Sequence, residues 1–214
     1  MYIPPQNQLE GWDEIQRFVA SARAADLVTV NSIGELVATL MPMVWQVENP
    51  SEGSYGRVIM HMARANPQWK QIFPGSKGLA ILRGAQAYIS PTNYENKATD
   101  HKVVPTWNYQ TVHLSGVVEI SEDTELLRQI VTDLTNLHES GRELPWNVAD
   151  SDPRYFEAQL KGIVAVILNV TKVEAKSKLS QNKSAEDRTR IVEDLFHSGI
   201  PGEEVIATEM QREL

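Results

Sequence analysis

Ile163-Val164-Ala165-Val166-Ile167-Leu168-Asn169-Val170-Thr171-Lys172-Val173 is the longest apolar run of β-type residues in the chain. Its branched side chains predict a strand. N-terminal to it, Pro153 is placed to open a short helix. Residues 124–138 carry Leu126, Leu127, Ile130, Val131, Leu134 and Leu137 at helical spacing, one apolar face of an amphipathic helix. Residues 106–120 and 79–89 read as two more strands, separated by a loop rich in Pro, Asn and Lys. Pro67 opens a short helix through Gln68, Trp69 and Ile72, and residues 56–62 are strand-like. A loop covers 48–54. Residues 36–45 form a strand in which Pro42 demands an edge or a bulge. A turn at 31–34 precedes it, then a strand at 27–30 and a helix at 12–22. On the C-terminal side, helices are expected over 185–197 and 203–212, broken at Ser198-Gly199-Ile200-Pro201-Gly202. Roughly six strands flanked by helices predict an α+β fold with an antiparallel barrel or sheet. The reading is one domain over 1–214, with a helical C-terminal extension from about 184.

Composition narrows the chemistry. The 214 residues include 20 basic and 28 acidic side chains, a net charge of -8 that disfavours a phosphate-coating surface. With no cysteine, disulfides, thiol catalysis and thiolate metal sites are excluded. The five histidines, at 61, 101, 113, 138 and 197, show no metal-ligand spacing. Dinucleotide, P-loop, nucleophile-elbow and H-E-x-x-H motifs are missing. No apolar run approaches the ~18 residues of a membrane span. The opening Met1-Tyr2-Ile3-Pro4-Pro5 lacks the regions of a signal peptide, so a cytoplasmic location is expected.

Three segments concentrate polar and aromatic side chains. In His61-Met62-Ala63-Arg64-Ala65-Asn66-Pro67-Gln68-Trp69, a guanidinium fork precedes a helix start, and both suit a phosphate. The same residues also suit a salt bridge at Arg64 and a core anchor at Trp69. Ala87-Tyr88-Ile89-Ser90-Pro91 and Pro105-Thr106-Trp107-Asn108-Tyr109-Gln110 alternate aromatic and amide groups, either one wall of a flat ligand site or a sheet with cross-strand aromatic pairs. Residues 171–190 hold six basic and three acidic side chains, against one and six over 191–214. That local reversal attracts an anion, or else belongs to a solvated loop with Asn182 or Ser184 capping the next helix.

Taken in order, these blocks resemble the PaiB-like, FMN-binding negative transcriptional regulator family. Lys178-Leu179-Ser180-Gln181-Asn182, Met1-Tyr2-Ile3-Pro4 and Val37-Ala38-Thr39 with Pro42 belong to the same resemblance, which extends to about Arg190. It implies a six-stranded antiparallel Greek-key split barrel that dimerises and holds FMN at the subunit interface. Arg64 and Asn66 would then lie near the phosphate, with His61 in the same block. Ala38, Thr39, Leu40 and Met41 would run beside the isoalloxazine. Trp107, Asn108, Tyr109 and Gln110 would lie on the strand reaching the partner's site, closed by Lys178, Ser180, Gln181 and Asn182. Three positions depart from the family pattern: Leu40 and Gln86 stand where histidine is usual, and Ser177 where tryptophan is.

The resemblance implies a homodimeric, FMN-binding regulator. The alternatives are a flavin-dependent oxidoreductase acting on a small molecule, a haem-binding relative using His61 or His113, and a cofactor-free barrel. Direct DNA binding is argued against by the last helix, where Glu203, Glu204 and Glu209 would meet phosphates.

Overall fold

The computed structural model describes residues 1–47, 53–94 and 102–214. Most of the loop expected at 48–54, and His101, lie outside them. The elements in chain order are α1 (Trp12–Ala22), β1 (Ala24–Val30), β2 (Leu36–Pro42), β3 (Val44–Gln46), β4 (Arg57–Ala63), β5 (Lys77–Ile89), β6 (Thr106–Ser121), α2 (Thr124–Glu139), α3 (Pro153–Leu160), β7 (Ile163–Lys178), α4 (Ala185–His197) and α5 (Glu203–Arg212). This is an α+β fold, its single sheet ordered β2-β1-β5-β6-β7-β4-β3.

Seven strands replace the expected six, and the extra one arises at Pro42. The single strand read over 36–45 is two. β2 pairs with β1 from Val30↔Leu36 to Ala24↔Pro42, and β3 pairs with β4 from Val44↔Ile59 to Gln46↔Arg57. Proline has no N–H to continue the ladder, so the chain changes partner there. A second difference is the length of β7, which runs on to Lys178 and takes Lys176 and Ser177 out of the expected loop.

By chain contacts the molecule divides into two compact units. One comprises residues 16–82 and 113–174, the other 1–15, 83–112 and 175–214. The first contains part of every strand. Its edge strands β2 and β3 are joined by Met43 alone. Seven strands laid flat would hold those edges roughly 29 Å apart, while a one-residue link reaches about 7 Å. The sheet must therefore roll up, and β2 does lie against β4. Gly116 on β6 makes the roll tight, since a Cβ there would sit 1.8 Å from the Asn169 carbonyl oxygen on β7. Outside the roll, α2 and α3 bury Leu127, Ile130, Leu134 and Leu160 against Ile59, Ala165 and Ile167. Asp123 caps α2 by accepting from the Leu126 N–H.

The second unit has its own core. Ala87 and Ile89 of β5 pack with Tyr94, Leu179 and the buried faces of α4 and α5, namely Ile191, Val192, Leu195, Ile206, Ala207 and Met210. Ser184 caps α4 by accepting from the Asp187 N–H. Strand β7 is tied to the N-terminal segment, where the Leu9 N–H donates to the Ala175 carbonyl.

Candidate functional site

In the first unit, β4 ends at Ala63 and the chain turns through Arg64 and Asn66 into a 3₁₀ turn, Pro67–Gln71. Asn66 caps that turn, its Oδ1 accepting from the Gln68 N–H at 3.0 Å. Its Nδ2 donates to Thr39 Oγ1 at 3.0 Å, and Thr39 in turn donates to Gln68 Oε1 at 2.6 Å. Gln68 is wholly buried, and its Nε2 faces Thr29 Oγ1 and the carbonyls of Leu27 and Val37. One amide thus ties β1, β2 and the turn together, a role invisible in sequence because all its partners are some 30 to 40 residues away. Thr39 and Asn66, singled out from the sequence, do meet. One Asn66 amide proton remains to point elsewhere.

Arg64 lies in the same turn with a different set of partners. Its Nη1 pairs with Glu122 at 2.6 Å, while Nε and Nη2 donate to the carbonyls of Lys161 and Ile163. Its carbonyl accepts from Trp69 Nε1, and its guanidinium lies 5.8 Å from the centroid of that ring. The resemblance puts this guanidinium near a phosphate, and the residues alone equally suit a salt bridge; in the structure its donors fasten the turn to Glu122 and the start of β7. Along β2, Met41 is buried, and Ala38 and Leu40 are exposed. His61 on β4 lines a cleft together with Leu134 and His138 of α2.

In the second unit, the ends of β6 and β7 bring together Trp107, Asn108, Tyr109, Gln110, Lys178, Ser180 and Gln181. Asn108 is fully buried, accepting from Ser180 Oγ at 3.0 Å and donating to Met210 Sδ. Ser180 holds φ 61, a left-handed backbone, and its Oγ donates one hydrogen bond, to Asn108 Oδ1. Gln110 Nε2 donates to Ser177 Oγ, and Gln181 folds back on its own turn, bonding the Leu179 N–H and the Ser177 carbonyl. Ser177, buried where an indole is usual, serves this network. Asn182 is exposed.

Two cations stand out here. Lys178 Nζ donates to Thr106 Oγ1 at 2.5 Å and to the Trp107 carbonyl at 2.6 Å. Lys176 is only 7% exposed; its ammonium donates to the Tyr2 carbonyl and lies 5.9 Å from the Tyr2 ring and 5.1 Å from that of Tyr109. Among the described residues neither lysine has a carboxylate partner. Desolvation and the neighbouring Lys176 charge push the Lys178 pKa below its ordinary value. Lys176 belongs to the basic stretch read from the sequence, but its burial is not foreseen there, because nothing in sequence shows that two tyrosine rings sheath it. Trp107, whose carbonyl Lys178 holds, also has an exposed ring that meets Tyr88 edge-to-face at 6.4 Å, and Gln86 Oε1 accepts from its indole. Gln86 thus orients the indole from a position where histidine is usual.

Such a pair of desolvated, uncompensated ammonium groups seeks an anion, and exposed rings beside it suit a flat partner. No group of three metal-ligating side chains occurs among the described residues. No helix among them is long and apolar enough to cross a membrane.

Residues 1–172 match the family model described as "Putative FMN-binding domain". The chain is 31% identical over 214 residues to the protease synthase and sporulation protein PAI 2 of Bacillus subtilis, covering 100% of this chain and 98% of that protein. Two solved structures share the fold. The FAD and haem binding protein of Mycobacterium smegmatis has a TM-score of 0.58 at 14% identity, covering 86% of this chain and 78% of that one. The flavocytochrome Anf3 of Azotobacter vinelandii has a TM-score of 0.55 at 13% identity, covering 85% and 74%.

Proposed function

The chain belongs to the FMN-binding domain family, and from that membership we propose that it is a PaiB-like regulator that binds FMN at the interface of a homodimeric split barrel. The observation that carries the reading is the Lys176–Lys178 pair, two cations held without a carboxylate beside exposed Tyr88 and Trp107. The donor set fits the cofactor. A third Lys178 proton is available to the phosphate, and the Tyr88 and Trp107 rings to the isoalloxazine. FMN, once bound, supplies the redox and spectroscopic chemistry. The protein's part is to read the phosphate, orient the ring and exclude water.

The dimer rests on β2. Leu36 is 74% exposed and Leu40 66%, on an edge strand with Ala38 open between them. Such an edge is a site for association, and a second copy of the same strand covers it symmetrically. The leucine standing at position 40 instead of histidine makes this face more apolar.

Regulation by direct DNA contact is disfavoured. Glu203 and Glu204 occupy the first turn of α5, and Glu204 Oε2 accepts from the Gly202 N–H. These carboxylates complement the helix dipole, and they would repel DNA phosphates where a recognition helix reads bases. The regulator acts instead through its bound small molecule and a partner.

Light scattering with simultaneous visible absorbance on protein equilibrated with FMN tests the reading. The expected species has twice the 24.0 kDa chain mass and carries one flavin per chain. A colourless monomer overturns it.

A further inference from the structure

Helices α4 and α5 form a hairpin in the second unit, and each buries one face in that unit's core. The flavin reading makes no use of the outer surface where the two helices join. There the chain turns apolar side chains outward: Phe196 is 45% exposed, Ile200 56% and Val205 47%, with Pro201 open beside Ile200. The turn is built to hold them in place. Ser198 Oγ accepts from the Ile200 N–H at 3.2 Å and donates to the Leu195 carbonyl at 3.1 Å, and the Ile200 carbonyl accepts from the Glu203 N–H. Gly199 and Gly202 take φ 68 and 90, the left-handed region that lets the chain reverse within 198–202.

Charge of one sign flanks this apolar turn on both helices. Glu193 and Asp194 of α4 and Glu204 of α5 are exposed. Asp194 accepts from the Asn93 amide and Glu204 from the Gly202 N–H, but among the described residues none of the three has a Lys or Arg partner. No Lys or Arg occurs between Ile191 and Gln211. The one imidazole on this stretch, His197, turns its Nδ1 to the Glu193 carbonyl at 2.6 Å. We propose that this face is a docking site for a basic amphipathic helix of a partner protein, its apolar row on Phe196, Ile200 and Val205 and its Lys or Arg side chains against the flanking carboxylates. The charge selects the partner: uncompensated carboxylates attract a cationic segment and repel DNA and anionic lipid. The backbone selects the form, because two helices joined by a closed turn offer no sheet edge to an added strand, whereas a helix brings apolar groups at spacings of three and four. A turn already fixed by its own hydrogen bonds loses little freedom on binding. The site stands apart from the flavin reading, since none of these residues belongs to the lysine cluster.

The test uses the full-length protein and a fluorescent peptide of Leu and Lys, about 18 residues or five helical turns, with Leu at helical spacing along one face. Two controls accompany it: the same peptide with every Lys replaced by Glu, and a scramble that keeps the composition and destroys the apolar face. Binding is read from fluorescence anisotropy at ~150 mM salt, where exposed charges more than about 8 Å apart are screened. The basic amphipathic peptide is expected to saturate, with both controls at least about tenfold weaker. Ile200→Ser, in a segment without helix or strand, is expected to weaken it about tenfold and to leave FMN affinity unchanged. Glu193→Lys, on the exposed side of α4, is expected to weaken it several-fold and serves should the first variant fold poorly. No saturation at ~100 μM peptide, affinity for either control equal to that for the probe, or unchanged affinity in both variants overturns the proposal. A fall in chain mass caused by Ile200→Ser would make the face an interface between copies of this chain and likewise overturn it. So would binding to phosphatidylcholine vesicles that Ile200→Ser abolishes, which would make it a membrane surface. Peptide binding intact in a protein that takes up no FMN would support this site and strike the flavin reading alone.

Discussion

Arg64 and Lys178 are both cations from polar sequence blocks, and the fold treats them in opposite ways. Arg64 sits in a corner where a carboxylate and two carbonyls receive its donors, so its charge is balanced within the protein. Lys178 has only a hydroxyl and one carbonyl, and beside it stands Lys176 rather than an acid. A balanced cation builds structure; an unbalanced one awaits a ligand. Residue type alone does not distinguish the two, and the difference lies in what the rest of the chain brings to each.

The largest effect is expected at Gln68, in the same turn as Arg64 but with partners of its own. Gln68→Leu strips the hydrogen bonds joining Thr29, Thr39 and two carbonyls in a buried setting. A loss of about 2–4 kcal/mol is expected, lowering the melting temperature by roughly 5–10 °C. A change within 2 °C would show that the network is incidental. Next in size is Lys178→Met, which keeps an unbranched stem and removes the charge. FMN affinity should fall about 10- to 100-fold, the worth of one charge-assisted hydrogen bond, and riboflavin affinity by less than threefold. Equal losses for both ligands would place the phosphate elsewhere.

Arg64→Ala should do the reverse. It removes a partly exposed ion pair and two carbonyl contacts, so about 1–2 kcal/mol of stability is expected to go while the FMN-to-riboflavin ratio holds. Selective loss of FMN would return the phosphate to Arg64. The smallest effect is in pH. The Lys178 pKa lies below its ordinary 10.5. Above the folded value the native state has shed a proton that the unfolded chain keeps, so the penalty for holding this charge disappears and stability rises with pH in that window. FMN affinity should decline across the same window, because the uncharged amine no longer pairs with phosphate. Parallel movement of the two quantities would show that another group controls one of them.

Periodicity made most of the fold legible. Leu126 to Leu137 announced α2, and the branched run from Ile163 announced β7. Such signals are local, repeating every three to four residues or every two. Pro42 correctly flagged an irregularity, yet its outcome, a change of sheet partner and a seventh strand, depends on β4, which sequence does not bring near. Lys176 looked solvated by its neighbours' polarity, and its burial depends on rings at Tyr2 and Tyr109. The candidate site shows the same pattern. Thr39 with Asn66, Asn108 with Ser180 and Trp107 with Lys178 all meet, pairings that the blocks themselves did not specify. The part Gln68 plays was hidden because its partners at Leu27, Thr29, Val37 and Thr39 are brought to it only by long-range contacts.

Parallel fluorescence titrations of the unliganded protein with FMN and with riboflavin test the central claim most directly. Saturable quenching by FMN with micromolar or tighter affinity is expected, with riboflavin at least tenfold weaker because it lacks the phosphate that Lys178 reads. Absence of saturation at ~100 μM FMN, a bound of about 5–6 kcal/mol, or equal affinity for the two flavins would contradict it.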